Sequence, residues 1–358
     1  MHMADALLSP PVAVAMYAAS AAAAGISIAQ LRREDRLAPE KAAKKLPTMA
    51  VMSALVFAGQ MINYTIPGTG SSGHLCGGML LSAVLGPWAG FLSMIVILAI
   101  QALFFADGGL LALGANVWNM AFYGCFVGYF LIYRPLMQGS LLSDKPRTKL
   151  TLASVLGCVL TLQLGALSVV VETSLSGITE LPFGAFVALM QPIHLAIGLI
   201  EGLITAAVLV FVYGTRPELL QCAPGAGKAE NRFSLKATLA ILAAAALVIG
   251  GGLSLLASSN PDGLEWSLFG NAESGYSENM GLDEENYGAS SKAADTAAQV
   301  QEKTSFLPDY SFSGSDSAAG TSVSGVVGCV MVAGLAALIC LAGSLARKKS
   351  KTKNASAV

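Results

Sequence analysis

Eight stretches of this chain stay apolar for about the 20 residues that carry a helix across a bilayer. They are 11–31, 46–64, 87–105, 111–133, 150–172, 183–213, 237–257 and 323–346. A ninth apolar run, 75–85, is too short to span when straight, and the Gly86-Pro87 that follows reads as a tight hairpin. It predicts a short or re-entrant helix. Seven segments then fall before residue 215 and two after it. The pattern therefore predicts an all-α polytopic membrane protein, a seven-helix bundle followed by two additional transmembrane helices.

The polar stretches between these runs are not alike. Nineteen of the 21 lysines and arginines fall in 32–45, 134–149, 214–236 and the tail after Ala346. With nine crossings and the N-terminus outside, all four stretches lie on the cytoplasmic side, as the distribution of basic residues around membrane spans requires. The loop 258–322 then lies outside, with eleven acids against two lysines. Its serine, glycine and acid content predicts a segment without a core of its own, flexible for most of its length. Such a loop is expected to act on metal delivery or assembly, and deletion of 272–317 to spare affinity at the site. The expected organisation is a first unit at 1–215, a linker at 216–236 after the turn-prone Ala223-Pro224-Gly225-Ala226-Gly227, a second unit at 237–346, and a basic cytoplasmic tail at 347–358.

Composition agrees with the spans: 54% of residues are hydrophobic and 12% charged, and mean hydropathy is +0.63. A soluble domain carries about 25% charge. The net charge of −1 says little, because the charges are segregated. Six cysteines (Cys76, Cys125, Cys158, Cys222, Cys329, Cys340) show no CxxC spacing, and most sit in apolar runs as small hydrophobes. They predict neither a disulfide framework nor a zinc site.

Candidate chemistry is sparse. The chain opens Met1-His2-Met3-Ala4-Asp5-Ala6-Leu7-Leu8-Ser9-Pro10, without the positive region of a secretory signal. A free Met1 amine, the His2 backbone nitrogen and the His2 ring supply donors in adjacent fused chelate rings. Such a nitrogen-rich, planar set suits Ni(II) or Cu(II). Initiator methionine is removed before small residues, and His2 is large, so Met1 is expected to persist. His74 closes the glycine-rich Pro67-Gly68-Thr69-Gly70-Ser71-Ser72-Gly73-His74 on the same outer face and offers a fourth nitrogen, with Cys76 nearby as a soft donor or a packing residue. His194 and Glu201 lie seven residues apart on one helical face. They either orient the N-terminal segment or a ligand histidine, or form a structural pair between helices. Asn116 and Asn119 serve helix–helix contact or bond the inserted terminus. There is no GxxxxGK[ST] loop, no HExxH and no basic-aromatic face for nucleic acid.

Taken together, Met1-His2-x-x-Asp5-x-x-Leu8-Ser9-Pro10, Gly68-Thr69-Gly70-Ser71-Ser72-Gly73-His74, the run from Gln101-Ala102-Leu103-Phe104-Phe105-Ala106-Asp107-Gly108-Gly109 to Gly114-Ala115-Asn116, and the helix from His194 through Glu201-Gly202 to Thr205 resemble the substrate-capturing S component of cobalt/nickel energy-coupling factor (ECF) transporters of the CbiM/NikM type. The resemblance covers 1–215. Pro261-Asp262-Gly263-Leu264-Glu265 is similar to the PDGLE motif of the small accessory N component, here fused after residue 236. The commonest family start has Pro and Gly where this chain has Ala4 and Ala6.

The resemblance implies a transport subunit rather than an enzyme, with Met1, His2 and His74 as ligands of transported Ni2+ or Co2+. Asp5, Asn116, His194 and Glu201 would support them. There would be no catalytic residues and no resident cofactor. It also implies a transmembrane coupling (T) subunit and two cytoplasmic ATPase subunits as partners in the cell membrane. The alternatives are an S component for a vitamin, which lacks an aromatic-lined pocket here, and an intramembrane enzyme using His194 and Glu201, which lacks a second catalytic carboxylate.

Overall fold

The computed structural model describes residues 1–142, 145–177, 182–223, 232–271, 276–277, 288, 291–312, 314 and 317–355, without the side chains of 40–44 and 339–355. Helix α1 (Pro10–Leu37) and α2 (Pro39–Gln60) lead into a hairpin of β1 (Tyr64–Ile66) and β2 (Ser71–Gly73), antiparallel with Thr65 opposite Ser72. The short α3 (Gly78–Leu85) and α4 (Pro87–Phe105) follow, then α5 (Leu113–Gln138), α6 (Pro146–Ser176) and α7 (Phe183–Thr215). Seven helices thus precede residue 215, and α8 (Leu235–Gly251) and α11 (Ala318–Ala355) come after it. The all-helical polytopic architecture is as expected.

Local signals set the helix starts. Proline opens α1, α2, α4 and α6 at a position whose N–H has no intrahelical partner to lose. The eight residues of α3 are all buried, which is how a helix too short to span is kept away from lipid. Six helices of the described residues are long and apolar enough to cross a membrane, and Leu235–Gly251 is a shorter apolar helix. Most of α5 (Val117–Tyr133) winds in the wider π register, with the Arg134 N–H donating to Tyr129 O five residues back. Trp88 and Phe91 of α4 meet Phe126 of α5 at centroid distances of 5.2 and 4.9 Å.

The segment after α8 departs from expectation. Its described parts are folded: α9 (Gly263–Phe269), a strand pair β3 (Gly270–Asn271) and β4 (Tyr276–Ser277), α10 (Lys292–Thr304) and a turn at Pro308–Tyr310. They are bonded to the first unit at several points. The Ser72 N–H donates to Pro261 O (2.8 Å), the Ser258 N–H to Asn63 O (2.7 Å), and Asn271 Nδ2 to Gly70 O (2.8 Å). Gln301 Nε2 reaches both Ala102 O and Gly108 O at 2.8 Å. Donors and acceptors on its neighbour, with Leu264, Trp266, Leu268 and Leu307 buried in the shared core, order this segment.

Candidate metal centre

The first eight residues are threaded into the end of the bundle where α4 stops and α5 starts. Met1 and Met3 are 5% and 0% exposed. The chain is held by backbone bonds that its neighbours supply. The Met3 N–H donates to Asn116 Oδ1 (2.8 Å), while Met3 O accepts from Asn116 Nδ2 (3.2 Å) and the Gly109 N–H (2.9 Å). Asp5 accepts the Ala112 N–H (2.9 Å), and bonds from Leu111 and Leu110 add to it. Burial raises the Asp5 carboxyl above its ordinary value, and those backbone donors offset part of the rise. Gly108 has φ +80°, and a Cβ there would meet Asn116 Nδ2 at 2.9 Å and His2 Cβ at 3.3 Å, so only glycine lets this loop close over the terminus.

His2 and His74 stack, with centroids 5.2 Å apart and planes 13° from parallel. His2 Nδ1 lies 2.7 Å from Asp107 Oδ1, and His2 Nε2 is buried with no hydrogen-bond partner. Burial would raise the Asp107 carboxyl, but His2 beside it and the Tyr310 hydroxyl that donates to it bring it down to about 2. His74 Nδ1 is 2.9 Å from Leu75 O. When Nδ1 carries the proton for that bond, Nε2 is the bare donor. Burial first, then the Met1 ammonium and His2, lower the His74 ring to about 4, which keeps it neutral.

The Met1 amine lies 2.8 Å from Asp262 Oδ2. Burial by itself would lower the amine, and the Asp262 carboxylate carries it above its ordinary value instead. Asp262 is placed by its own helix: Oδ1 accepts the Leu264 and Glu265 N–H groups (2.8 and 2.9 Å), and Glu265 Oε2 accepts the Asp262 N–H (3.1 Å) in a capping box. Asp262 and then burial push Glu265 up to about 7. Gly263 lets α9 sit this deep, since a Cβ there would meet Ile193 Cγ2 at 2.7 Å and His194 Cε1 at 3.0 Å.

The remaining candidates separate by what they touch. Glu201 of α7 accepts the Cys76 and Gly77 N–H groups (2.8 and 3.0 Å), which fixes the loop directly after His74. His194 bonds Met190 O through Nδ1 (2.8 Å) and lies beneath α9, its Nε2 buried without a partner. Asn119 donates to Glu172 (2.7 Å) and approaches Met3 Sδ (3.6 Å). Cys76 is buried and lines a small cavity with Met1, His74 and Asp262.

Three side chains on the terminus, Asp107, Asp262 and Tyr310, had no role in the reading from sequence. Asp107 and Asp262 both stand in motifs visible there, but nothing in those motifs says which distant charge each one meets. Asp262 and Tyr310 come from the acidic loop and reach the terminal amine and the partner of His2, so part of that loop adjoins the site, while most of 272–290 lies outside the described residues.

Among the described residues, no three His, Cys, Asp or Glu side chains form a metal-holding group. A cation here would need backbone nitrogen as well. What the arrangement offers is an amine, a main-chain nitrogen and two imidazoles in a buried place, with two carboxylates to balance positive charge.

Comparison with known proteins shows the family. Residues 2–219 match the family CbiM, described as the cobalt uptake substrate-specific transmembrane region, and residues 236–345 match the PDGLE domain. A putative fused nickel transport protein NikMN of Archaeoglobus fulgidus is 34% identical over 337 residues, 94% of this chain and 96% of the relative. The cobalt transport protein CbiM of Sorangium cellulosum is 32% identical over 63% of this chain and all of its own length. The fused nickel transport protein NikMN of Rhodobacter capsulatus is 31% identical over 74% of this chain and 75% of its own. This chain belongs to the CbiM family of cobalt/nickel transport components, carries a PDGLE domain fused behind its transmembrane region, and is a transport protein rather than an enzyme.

Proposed function

We propose that this chain captures Ni2+ or Co2+ as the substrate-binding membrane subunit of an ATP-driven ECF-type importer, with the Met1 amine, the His2 amide and ring nitrogens and the His74 ring as ligands. The carrying observation is the burial of a free amine and two stacked imidazoles at one end of the bundle, His2 and His74 being 5.2 Å apart. Loading requires two releases: the amine leaves Asp262, and His2 Nδ1, the nitrogen that closes a ring with the amine and amide, leaves Asp107. An amide nitrogen coordinates only after losing its proton, which Ni(II) promotes far better than Zn(II) or Mg(II), so the donor set selects by ligand type and geometry.

Asp5 and Asn116 would position the terminus, and Glu201 the His74 loop. His194 would act on α9 rather than on a ligand. The N-terminus and 258–322 would face outside. Arg32, Arg134, Arg147 and Arg216 lie at the far ends of α1, α5, α6 and α7 from the site, which suits a cytoplasmic face there. Residues 1–215 would be the metal-binding component, 216–236 the linker and 237–346 the accessory component, with 347–358 a basic cytoplasmic tail. A transmembrane coupling subunit and two cytoplasmic ATPase subunits would supply the energy.

Equilibrium Ni2+ and Co2+ binding to the purified full chain tests the ligand set. His2→Ala and His74→Ala are each expected to abolish tight binding while leaving the helical content unchanged. Near-wild-type affinity in either variant would overturn the proposed site.

A further inference from the structure

Two contacts from the fused PDGLE domain bear on the N-terminal segment, one directly and one through Asp107, and they act on different groups. Asp262 holds the Met1 amine at 2.8 Å. The Tyr310 hydroxyl donates to Asp107 Oδ2, whose other oxygen lies 2.7 Å from His2 Nδ1. Each grip is braced from behind. Asp262 divides its carboxylate, with Oδ1 capping α9 and Oδ2 on the amine, while the Pro261 carbonyl is fixed by the Ser72 N–H. Tyr310 stacks on Phe105 (centroids 4.9 Å) and accepts a bond from Gln101 (3.2 Å), and Gln301 ties α10 to Gly108 O next to Asp107.

On the ligand set proposed above, we infer that Asp262 and Tyr310 are positioning residues. They form a two-point clasp by which the accessory domain keeps the metal-free terminus seated, with the amine and the His2 ring each on a carboxylate. An incoming divalent cation exchanges for those carboxylates one at a time, so the donors are already in place when it arrives. Because the cation displaces both carboxylates, the clasp differs from an outer partner that stays bonded to a ligand after the metal has bound.

The divided carboxylate makes the clasp separable from the fold. Asp262→Asn keeps an oxygen to cap α9, since asparagine caps helices as well as aspartate does, but turns an NH2 toward the ammonium. The test is acylation of the Met1 amine of the full chain in detergent, without metal, using sulfo-N-hydroxysuccinimide acetate. The N-terminal peptide is read by mass spectrometry against exposed Lys303 as internal reference.

Asp262→Asn is expected to accelerate Met1 acylation by about tenfold or more, the factor that loss of a hydrogen bond between charged groups implies, and Asp262→Glu to stay close to wild type. Acylation of Asp262→Asn at the wild-type rate would overturn the clasp. If Asp262→Asn unfolds the outer domain, Tyr310→Phe tests the other grip while keeping the ring stack. Faster modification of His2 by diethyl pyrocarbonate supports the clasp, and an unchanged rate overturns it. No metal enters either measurement. Failure of the ligand set would appear instead as unaltered metal binding in His2→Ala and His74→Ala.

Discussion

The helices of the first unit and the segment between α8 and α11 are ordered by different balances of apolar burial and polar contact. In α4, Phe91, Met94, Ile97 and Phe105 are 0–1% exposed, and apolar burial of that kind stabilises by about 25 cal/mol per Å2. The outer segment seats Leu264, Trp266, Leu268 and Leu307 (1–7% exposed) in the same core and adds polar contacts to them. Most of α10 is exposed, and its order comes from Gln301 on two carbonyls of the α4 end. α9 is held by a capping box, a backbone bond from Ser72 and a charge on the terminus. Area holds the bundle whatever the exact partners are. The outer segment depends also on a few named polar atoms, and single substitutions should therefore act on the two regions differently.

The largest effect is expected where the regions meet. A residue added before Met1 turns the buried amine into an amide, removes the Asp262 ion pair and takes a donor from the proposed chelate. An N-terminal tag should lower Ni2+ or Co2+ capture by more than the roughly 100-fold that loss of an outer partner can cost. A tag after Val358 should leave capture unchanged. Metal content after equal exposure checks this, and cleavage that regenerates Met1 should restore it. Tight binding with the tag attached removes Met1 from the ligand set.

Asn116→Ala comes next. It deletes both bonds that Asn116 makes to the Met3 backbone in a site 2% exposed, leaving a buried N–H without a partner while Met3 O keeps the Gly109 N–H. Such losses cost about 1–3 kcal/mol. The expected result is weaker metal binding by isothermal titration with little change in the bundle's thermal unfolding. Equal losses in both would make Asn116 an ordinary helix contact.

Gly263→Ala strikes the seat of α9 on α7. The added methyl overlaps Ile193 and His194, and overpacking typically costs about 1–3 kcal/mol. Faster amide exchange in α9 with unchanged exchange in α6 and α7 is the expected signature. The smallest effect belongs to Gln301→Ala, which removes hydrogen bonds worth about 0.5–1.5 kcal/mol each at most. It should loosen α10 in the same exchange experiment and leave α9 alone. Loosening of both would show that the outer segment behaves as one unit.

How much could be read before the fold was known follows the same division. Hydropathy alone placed α4 at 87–105, where it is found, and kept 75–85 too short to span, as α3 is. Boundaries slipped where polar residues continue a helix: α2 starts at Pro39 rather than near 46, because nothing in Pro39–Lys45 breaks a helix that polar solvent tolerates. His2, His74, Asp5 and Asn116 were legible as candidates from residue type and motif, and the structure brings all four around one terminus. The folded outer segment was not legible, since composition reports the absence of a core and not the presence of a neighbour.

What the sequence determined by itself is what each residue prefers locally: apolar runs that must leave water, prolines that start helices, and basic clusters that mark one side of a membrane. What only the tertiary structure decided is which charges meet. Met1 and Asp262 are 261 positions apart in the chain, and His2 and Asp107 are joined across the start of α5. Hydropathy is a sum over single residues and their solvent. An ion pair is a relation between two residues, and it exists only once the helices between them have set the path of the chain.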